Sequence, residues 1–183
     1  LRWLPKPVNG LSVLLIHSNN NPFTSTSQAT LHYYIISPMN MLQNVSLVSY
    51  STMGLGGSAS YLVEVANRME VLEALSWAAS KQLPVIMIGG GSNIIWGDNG
   101  YKCLVIVNKI RHYELFEEDE TNTYLTLGSG EPWDEVVAKT VAAGLTGIEA
   151  LSLIPGTAGA TPIQNVGAYG QEISQTLTTV EAF

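Results

Sequence analysis

The chain is predicted to be an α+β protein with two lobes around a cleft, and three observations carry that expectation. A strand–helix–strand unit from Tyr61 to Ile88 runs straight into Gly89-Gly90-Gly91. A second unit, from Tyr124 to Gly144, has the order strand, glycine turn, helix. Between Ser152 and Gly170 lies a nearly uncharged segment with glycines at 156, 159, 167 and 170 and prolines at 155 and 162. Glycine allows close backbone approach and proline fixes φ, so this last segment suits a backbone wrapped around a ligand rather than a core element.

Residues 1–40 are expected to form an irregular N-terminal extension. They carry Asn19-Asn-Asn-Pro22 and Thr24-Ser-Thr-Ser-Gln28, with neither a helical period nor a useful strand pattern. Regular patterning starts at Leu42, with apolar positions at Val45, Leu47 and Tyr50, followed by the turn-rich Gly54-Leu-Gly-Gly57. Tyr61–Val65 reads as a strand. Asn67 with Glu70 three positions on forms a capping box, and Met69, Leu72, Leu75 and Ala79 give a helix one apolar face. Pro84 opens the strand that ends at Gly89, which puts the glycine loop at the carboxyl end of a parallel strand, a usual ligand position. Cys103–Val107 is a further strand, and Glu117-Glu-Asp-Glu120 is a solvated hairpin tip, its consecutive carboxylates lacking the spacing of a metal site. Tyr124–Leu127 alternates as a strand, and Pro132 begins a helix whose Trp133, Val136, Val137 and Val141 share a face before Gly144 stops it. The pattern thus separates an extension 1–40 from a regular remainder in which a second domain has begun by the helix at Pro132.

Composition narrows the function classes. At 183 residues and 46% hydrophobic, the chain can bury a substantial core. Charged residues make up 13%, the net charge is −7 and no cluster of Lys and Arg occurs, which argues against nucleic-acid binding. Cys103 alone excludes an internal disulfide and sits in an apolar run, where it reads as a small buried hydrophobe. No apolar run is long enough for a membrane span or a signal-peptide core, so cytoplasm is the expected location.

Two segments carry candidate chemistry. In Gly89-Gly90-Gly91-Ser92-Asn93 the amides and short polar side chains are either a tight structural turn or a concavity for a phosphate group. Neither G-x-G-x-x-G opening a helix nor G-x-x-x-x-G-K-[ST] is present, which disfavours the common dinucleotide and triphosphate loops. Together with Ser51-Thr-Met-Gly54, Leu127-Gly-Ser-Gly130 with Trp133, Leu153-Ile-Pro-Gly156 and Pro162-Ile-Gln-Asn-Val-Gly-Ala-Tyr-Gly170, these motifs resemble one family closely. From about Asn40 onward the chain is similar to the N-terminal part of the UDP-N-acetylenolpyruvoylglucosamine reductases, FAD-dependent enzymes of bacterial peptidoglycan synthesis. Ser51, in place of a common asparagine, and Ala160, in place of a frequent serine or glycine, depart from the family pattern.

The resemblance implies a two-lobed α+β FAD-binding fold of the vanillyl-alcohol-oxidase type, with a first lobe 41–108 and an incomplete second lobe 109–183. It implies that Gly89, Gly90, Gly91, Ser92 and Asn93 receive the FAD pyrophosphate. Ile154, Pro155, Gly156, Gly159, Ala160, Ile163, Val166 and Gly167 would then line the flavin and its ribityl chain, with Gly128–Gly130 along the same groove and Tyr169 on the substrate side. The family's reaction is a hydride relay from NADPH through FAD to the enolpyruvyl ether of a UDP-sugar. Its catalytic serine, arginine and glutamate belong to positions after Phe183, so no catalytic residue is assigned, and Arg68 and Arg111 are poor substitutes. Alternatives are the flavin module of another oxidase or dehydrogenase of this type, or a non-functional fragment whose second sheet keeps an unpaired edge. The former often tethers its flavin through a histidine or cysteine, and none of His17, His32 and His112 lies in a matched loop, which lowers that option.

Overall fold

The computed structural model describes residues 10–15 and 39–182, apart from 118 and 120. Its architecture is α+β, as expected, with two four-stranded sheets that each pack a helix.

The first sheet has the order β2(Leu42–Ser46), β3(Ser58–Val65), β5(Tyr101–Asn108), β4(Val85–Ile88). β2 and β3 are antiparallel, while β3 and β4 both run parallel to β5. Residues alternate faces along a strand, and both faces of β5 are covered. Leu104 and Ile106 pack under the helix α1(Arg68–Ser80), whereas Cys103, Val105 and Val107 join Leu47, Leu62 and Trp96 on the other side. A continuous apolar strand such as Cys103–Val107 is what two-sided burial requires.

Asn67 caps α1 as the sequence indicates: its side chain accepts from the Glu70 amide at 3.0 Å, and the Glu70 carboxylate accepts from the Ala66 amide at 2.6 Å. The buried face differs from the expected one. Val71, Ala74 and Ala78 face the sheet, while Met69, Leu72 and Ala79 are exposed and Leu75 is partly buried. Small side chains let the helix sit close to β3 and β5, so the period was legible but its phase was set by packing. Trp77 is partly buried edge-on against Tyr61, with ring centroids 4.9 Å apart.

The second sheet has the order β10(Leu177–Val180), β1(Gly10–Leu15), β7(Asn122–Leu127), β6(Tyr113–Glu117). Here one expectation is corrected: Gly10–Leu15, assigned to the irregular extension, forms a strand paired on both sides. Its partners lie more than a hundred positions away in the chain, so no local pattern announces it. The rest of the extension falls outside the described residues, except 39 and 40. The helix α2(Trp133–Ala142) buries Trp133, Val136, Val137 and Thr140, but Val141 is exposed. Trp133 is 1% exposed and donates through Nε1 to the Leu151 carbonyl at 2.9 Å. Beyond α2 the chain follows short 3-10 turns and the hairpin β8(Gly167–Ala168)–β9(Gln171–Glu172) to reach β10.

Candidate functional site

The carboxyl ends of β4 and β5 point at the irregular segment of the second region, and a cavity of about 680 Å³ lies between them. That volume falls in the range of small-molecule and cofactor sites. Gly89–Asn93 form one wall, and Gly156, Gly159, Ala160 and Ile163 form the facing one.

Specific bonds hold the walls in register. Ser92 Oγ donates to the Pro155 carbonyl at 3.1 Å, and Asn93 Nδ2 donates to Gln164 Oε1 at 2.6 Å. The Gly91 carbonyl is taken by the Thr52 amide at 3.1 Å, which ties the loop to the Ser51–Gly54 motif. Among the described residues, the N–H groups of Gly90, Gly91, Ser92 and Asn93 have no acceptor within the protein. Among the described residues, the lining side chains include one carboxylate, Glu181, and no Lys, Arg or His. What these residues offer an anion is backbone dipoles and short polar side chains.

The glycines of the two walls serve different purposes position by position. A Cβ on Gly90 would stand 3.5 Å from Gly156 Cα, in ordinary contact, so it would project into the gap between the walls. Gly91 has φ +70°, and a Cβ there would overlap the Tyr50 carbonyl oxygen. On the far side, Cβ atoms on Gly130 and Gly159 would lie 2.6 Å from Ile110 N and from Ser129 Cβ, respectively. Those two glycines let three backbone segments stack: the Gly130 amide donates to the Ile110 carbonyl, and the Gly159 amide to the Ser129 carbonyl, both at 2.8 Å.

The remaining candidates are placed elsewhere. Ile154 packs partly buried against the second core, and Pro155 contributes its carbonyl to Ser92. Val166 is itself a core residue, and Gly167 belongs to β8. Tyr169, with φ +52°, is 97% exposed at the hairpin turn and does not line the cavity. Arg68 and Arg111 face Glu181 at 3.4 Å and the buried Glu131 at 3.3 Å. Burial pushes the Cys103 thiol up from its ordinary value, which suits a packed hydrophobe rather than a nucleophile.

Sequence reasoning missed several lining residues. Asn108 ends β5 beside the glycine loop, gives Nδ2 to Ser129 Oγ at 2.7 Å and takes the Ile110 amide at 3.0 Å. A polar residue closing an apolar strand at the same sheet edge was the available signal. Val71 and Leu75 of α1, together with Ile110, supply an apolar end that no motif marks.

The family described as FAD binding domain matches residues 59–183. The chain belongs to that family. It is 43% identical over 148 residues to UDP-N-acetylenolpyruvoylglucosamine reductase of Streptomyces coelicolor, covering 81% of this chain and 37% of that protein. Against the reductase of Escherichia coli K12 it is 36% identical over 139 residues, covering 76% of this chain and 40% of that one. The crystal structure of the Thermus caldophilus reductase superposes with a TM-score of 0.58 at 26% identity, over 75% of this chain and 46% of that one. The resemblance drawn from the motifs and the α+β FAD-binding fold are both borne out. The chain thus spans about two-fifths of the length of these curated relatives.

The residues present fit the family's cofactor. Amides without protein acceptors suit a pyrophosphate, the glycine-lined gap at Gly90 leaves room for it, and the apolar walls suit flat ring systems.

Proposed function

We propose that this chain is the FAD-holding portion of a UDP-N-acetylenolpyruvoylglucosamine reductase. In this reading it serves the NADPH-dependent reduction of UDP-N-acetylglucosamine enolpyruvate to UDP-N-acetylmuramate, a cytoplasmic step of peptidoglycan synthesis. The observation that carries the reading is the row of amides at Gly90–Asn93, which have no protein acceptor among the described residues and line a cavity between two bonded walls. Those amides, with Ser92 and Asn93, hold the pyrophosphate. Gly156, Gly159, Ala160 and Ile163 lie along the flavin and ribityl chain; Ile154, Pro155, Val166 and Gly167 do not line the cavity and act by shaping that segment, and Tyr169, exposed at the hairpin turn, lies toward the substrate side. The two lobes that clasp the cofactor divide near residue 109. Bound FAD supplies the hydride chemistry. The chain's own residues bind it, orient it and exclude water from one side.

The test is the visible absorption spectrum of the purified chain after incubation with FAD and removal of free cofactor. Retained flavin bands are the expected result. A colourless, protease-resistant protein would show that the fold forms without an FAD site and would overturn the reading.

A further inference from the structure

Among the described residues, the side-chain hydroxyls that line the cavity are those of Ser92, Ser129 and Thr157. A hydroxyl has a single proton to give, so a bond already made inside the protein decides what it can still offer a ligand. Ser92 spends its proton on the Pro155 carbonyl at 3.1 Å, a group that only accepts. Its oxygen is left with lone pairs. Ser129 is bonded the other way round: its Oγ receives Asn108 Nδ2 at 2.7 Å. That direction is forced, because Asn108 Oδ1 accepts the Ile110 amide at 3.0 Å, and an inverted side-chain amide would set donor against donor there. Ser129 therefore keeps its proton, which meets no protein acceptor among the described residues. The backbone around it is locked. The Ser129 carbonyl accepts the Gly159 amide at 2.8 Å, and the Gly128 and Gly130 amides donate to the His112 and Ile110 carbonyls at 2.9 and 2.8 Å.

We propose that Ser129 is a specificity-determining residue of this site, which donates its hydroxyl proton to an oxygen acceptor of the bound cofactor, and that Asn108 is the positioning residue that sets this polarity. The proposal rests on the FAD reading above and deepens it. The group seated at Ser129 is a carbonyl, ribityl or phosphate oxygen. A group that brings only a proton donor is refused, because it would meet the Ser129 hydroxyl turned outward by Asn108. The donor is held on backbone bonded on several sides, so little ordering is left to be done on binding. Ser92, across the gap, is its opposite: it serves an anion through its amide, while its hydroxyl oxygen only receives.

The test is FAD affinity in the full chain, read by flavin fluorescence. Ser129→Ala is expected to raise Kd about two- to tenfold, the net worth of one neutral hydrogen bond, with the thermal midpoint of the cofactor-free chain unchanged. The same loss with riboflavin as probe places the acceptor on the ring or ribityl half, and the same loss with ADP places it on the diphosphate half. Asn108→Asp reverses the polarity, since one carboxylate oxygen keeps the Ile110 amide and the other takes the Ser129 proton. It also adds a charge, so it is measured both alone and in the Ser129→Ala chain, where no hydroxyl remains to be turned. Its penalty is expected to be larger with Ser129 present, by about the factor that Ser129→Ala costs by itself. Equal penalties in the two backgrounds would overturn the role of Asn108, and FAD affinity at the parent level in Ser129→Ala would overturn that of Ser129. Should Ser129→Ala lower the midpoint, the parent chain decides the matter. A bond running from Asn108 through Ser129 to the cofactor strengthens as a unit, so an Asn108 Nδ2 proton signal should move downfield when FAD is added. A signal that stays in place would overturn the proposal. A parent chain that retains no flavin would overturn the FAD reading, and this assignment with it, whereas a parent that binds FAD as tightly as Ser129→Ala would overturn this assignment alone.

Discussion

The two walls of the cavity are built on opposite principles. The first is a loop at the end of a regular parallel strand, whose glycines leave amides unused and, at Gly90, leave space. The second is irregular chain in which Gly159, with Gly130 behind it, is consumed internally, because both let backbones stack where no Cβ fits, while Gly156 faces the gap, where a Cβ would stand 3.2 Å from Ser92 Oγ. Glycine content alone does not distinguish a ligand loop from a packing device. What distinguishes them is whether the amides and the space are already occupied by the protein.

The largest test of this contrast is Gly130→Ala. Its Cβ would lie 2.6 Å from Ile110 N and from the Lys109 carbonyl carbon, both backbone atoms that cannot rotate away. Overpacking of this kind costs about 3 kcal/mol, read as a lower urea midpoint. A variant as stable as the parent would show that the stacked wall yields easily, and the contrast would fail.

Gly90→Val is the counterpart on the open wall. The first added carbon meets only Gly156, its Cα at 3.5 Å and its carbonyl carbon at 3.8 Å, so stability should change by less than about 1 kcal/mol. On the FAD reading, affinity should fall at least about tenfold, because the side chain enters the space of the pyrophosphate. Affinity at the parent level would remove this loop from the site. The sequence puts Gly90 and Gly91 on an equal footing, whereas the structure separates them. Gly91, with φ +70° against the Tyr50 carbonyl, is needed for the loop's own shape, so its replacement tests folding and binding together.

The bonds across the gap predict a smaller effect. Asn93→Ala removes the 2.6 Å bond to Gln164, an exposed pair worth about 0.5–1 kcal/mol. Adding Gln164→Ala should cost little more, since the partner is already lost. Full additivity in denaturation measurements would mean that the pair does not couple the walls.

How much of this was legible in the sequence follows the same division. The strand–helix–strand unit, its Asn67 cap and the loop 89–93 were readable because their signals are local: period, capping box, a glycine run after an apolar strand. The phase of α1 was not, because Ala74 and Ala78 face the sheet for reasons of closeness that hydrophobicity does not rank. β1 was not, because its pairing is wholly non-local. Within the 152–170 segment, composition marked a backbone shaped by glycine and proline. It did not tell which residues reach the cavity, like Ile163, and which turn into the core, like Val166.

The hairpin tip at Asp119 gives the smallest prediction and an internal reference for the open loop. In it, donors that the glycine loop leaves unused are spent on the chain's own carboxylate. The Asn122 side chain, then the Thr121 hydroxyl and amide, hold Asp119 down from its ordinary 3.8 to about 2. Because the folded pKa is the lower one, this contribution is complete above the unfolded value and is lost as pH falls through about 2. Asn122→Ala should bring the Asp119 carboxyl back toward 3.8, read by its carbon chemical shift against pH, with the fold unchanged. A titration that stays near 2 would mean that the remaining donors suffice. Either value measures how strongly a short run of donors stabilises an anion on this protein without any cation. The glycine loop has to work on that same scale, because Gly90–Asn93 bring to the cavity amides and short polar side chains but no positive charge.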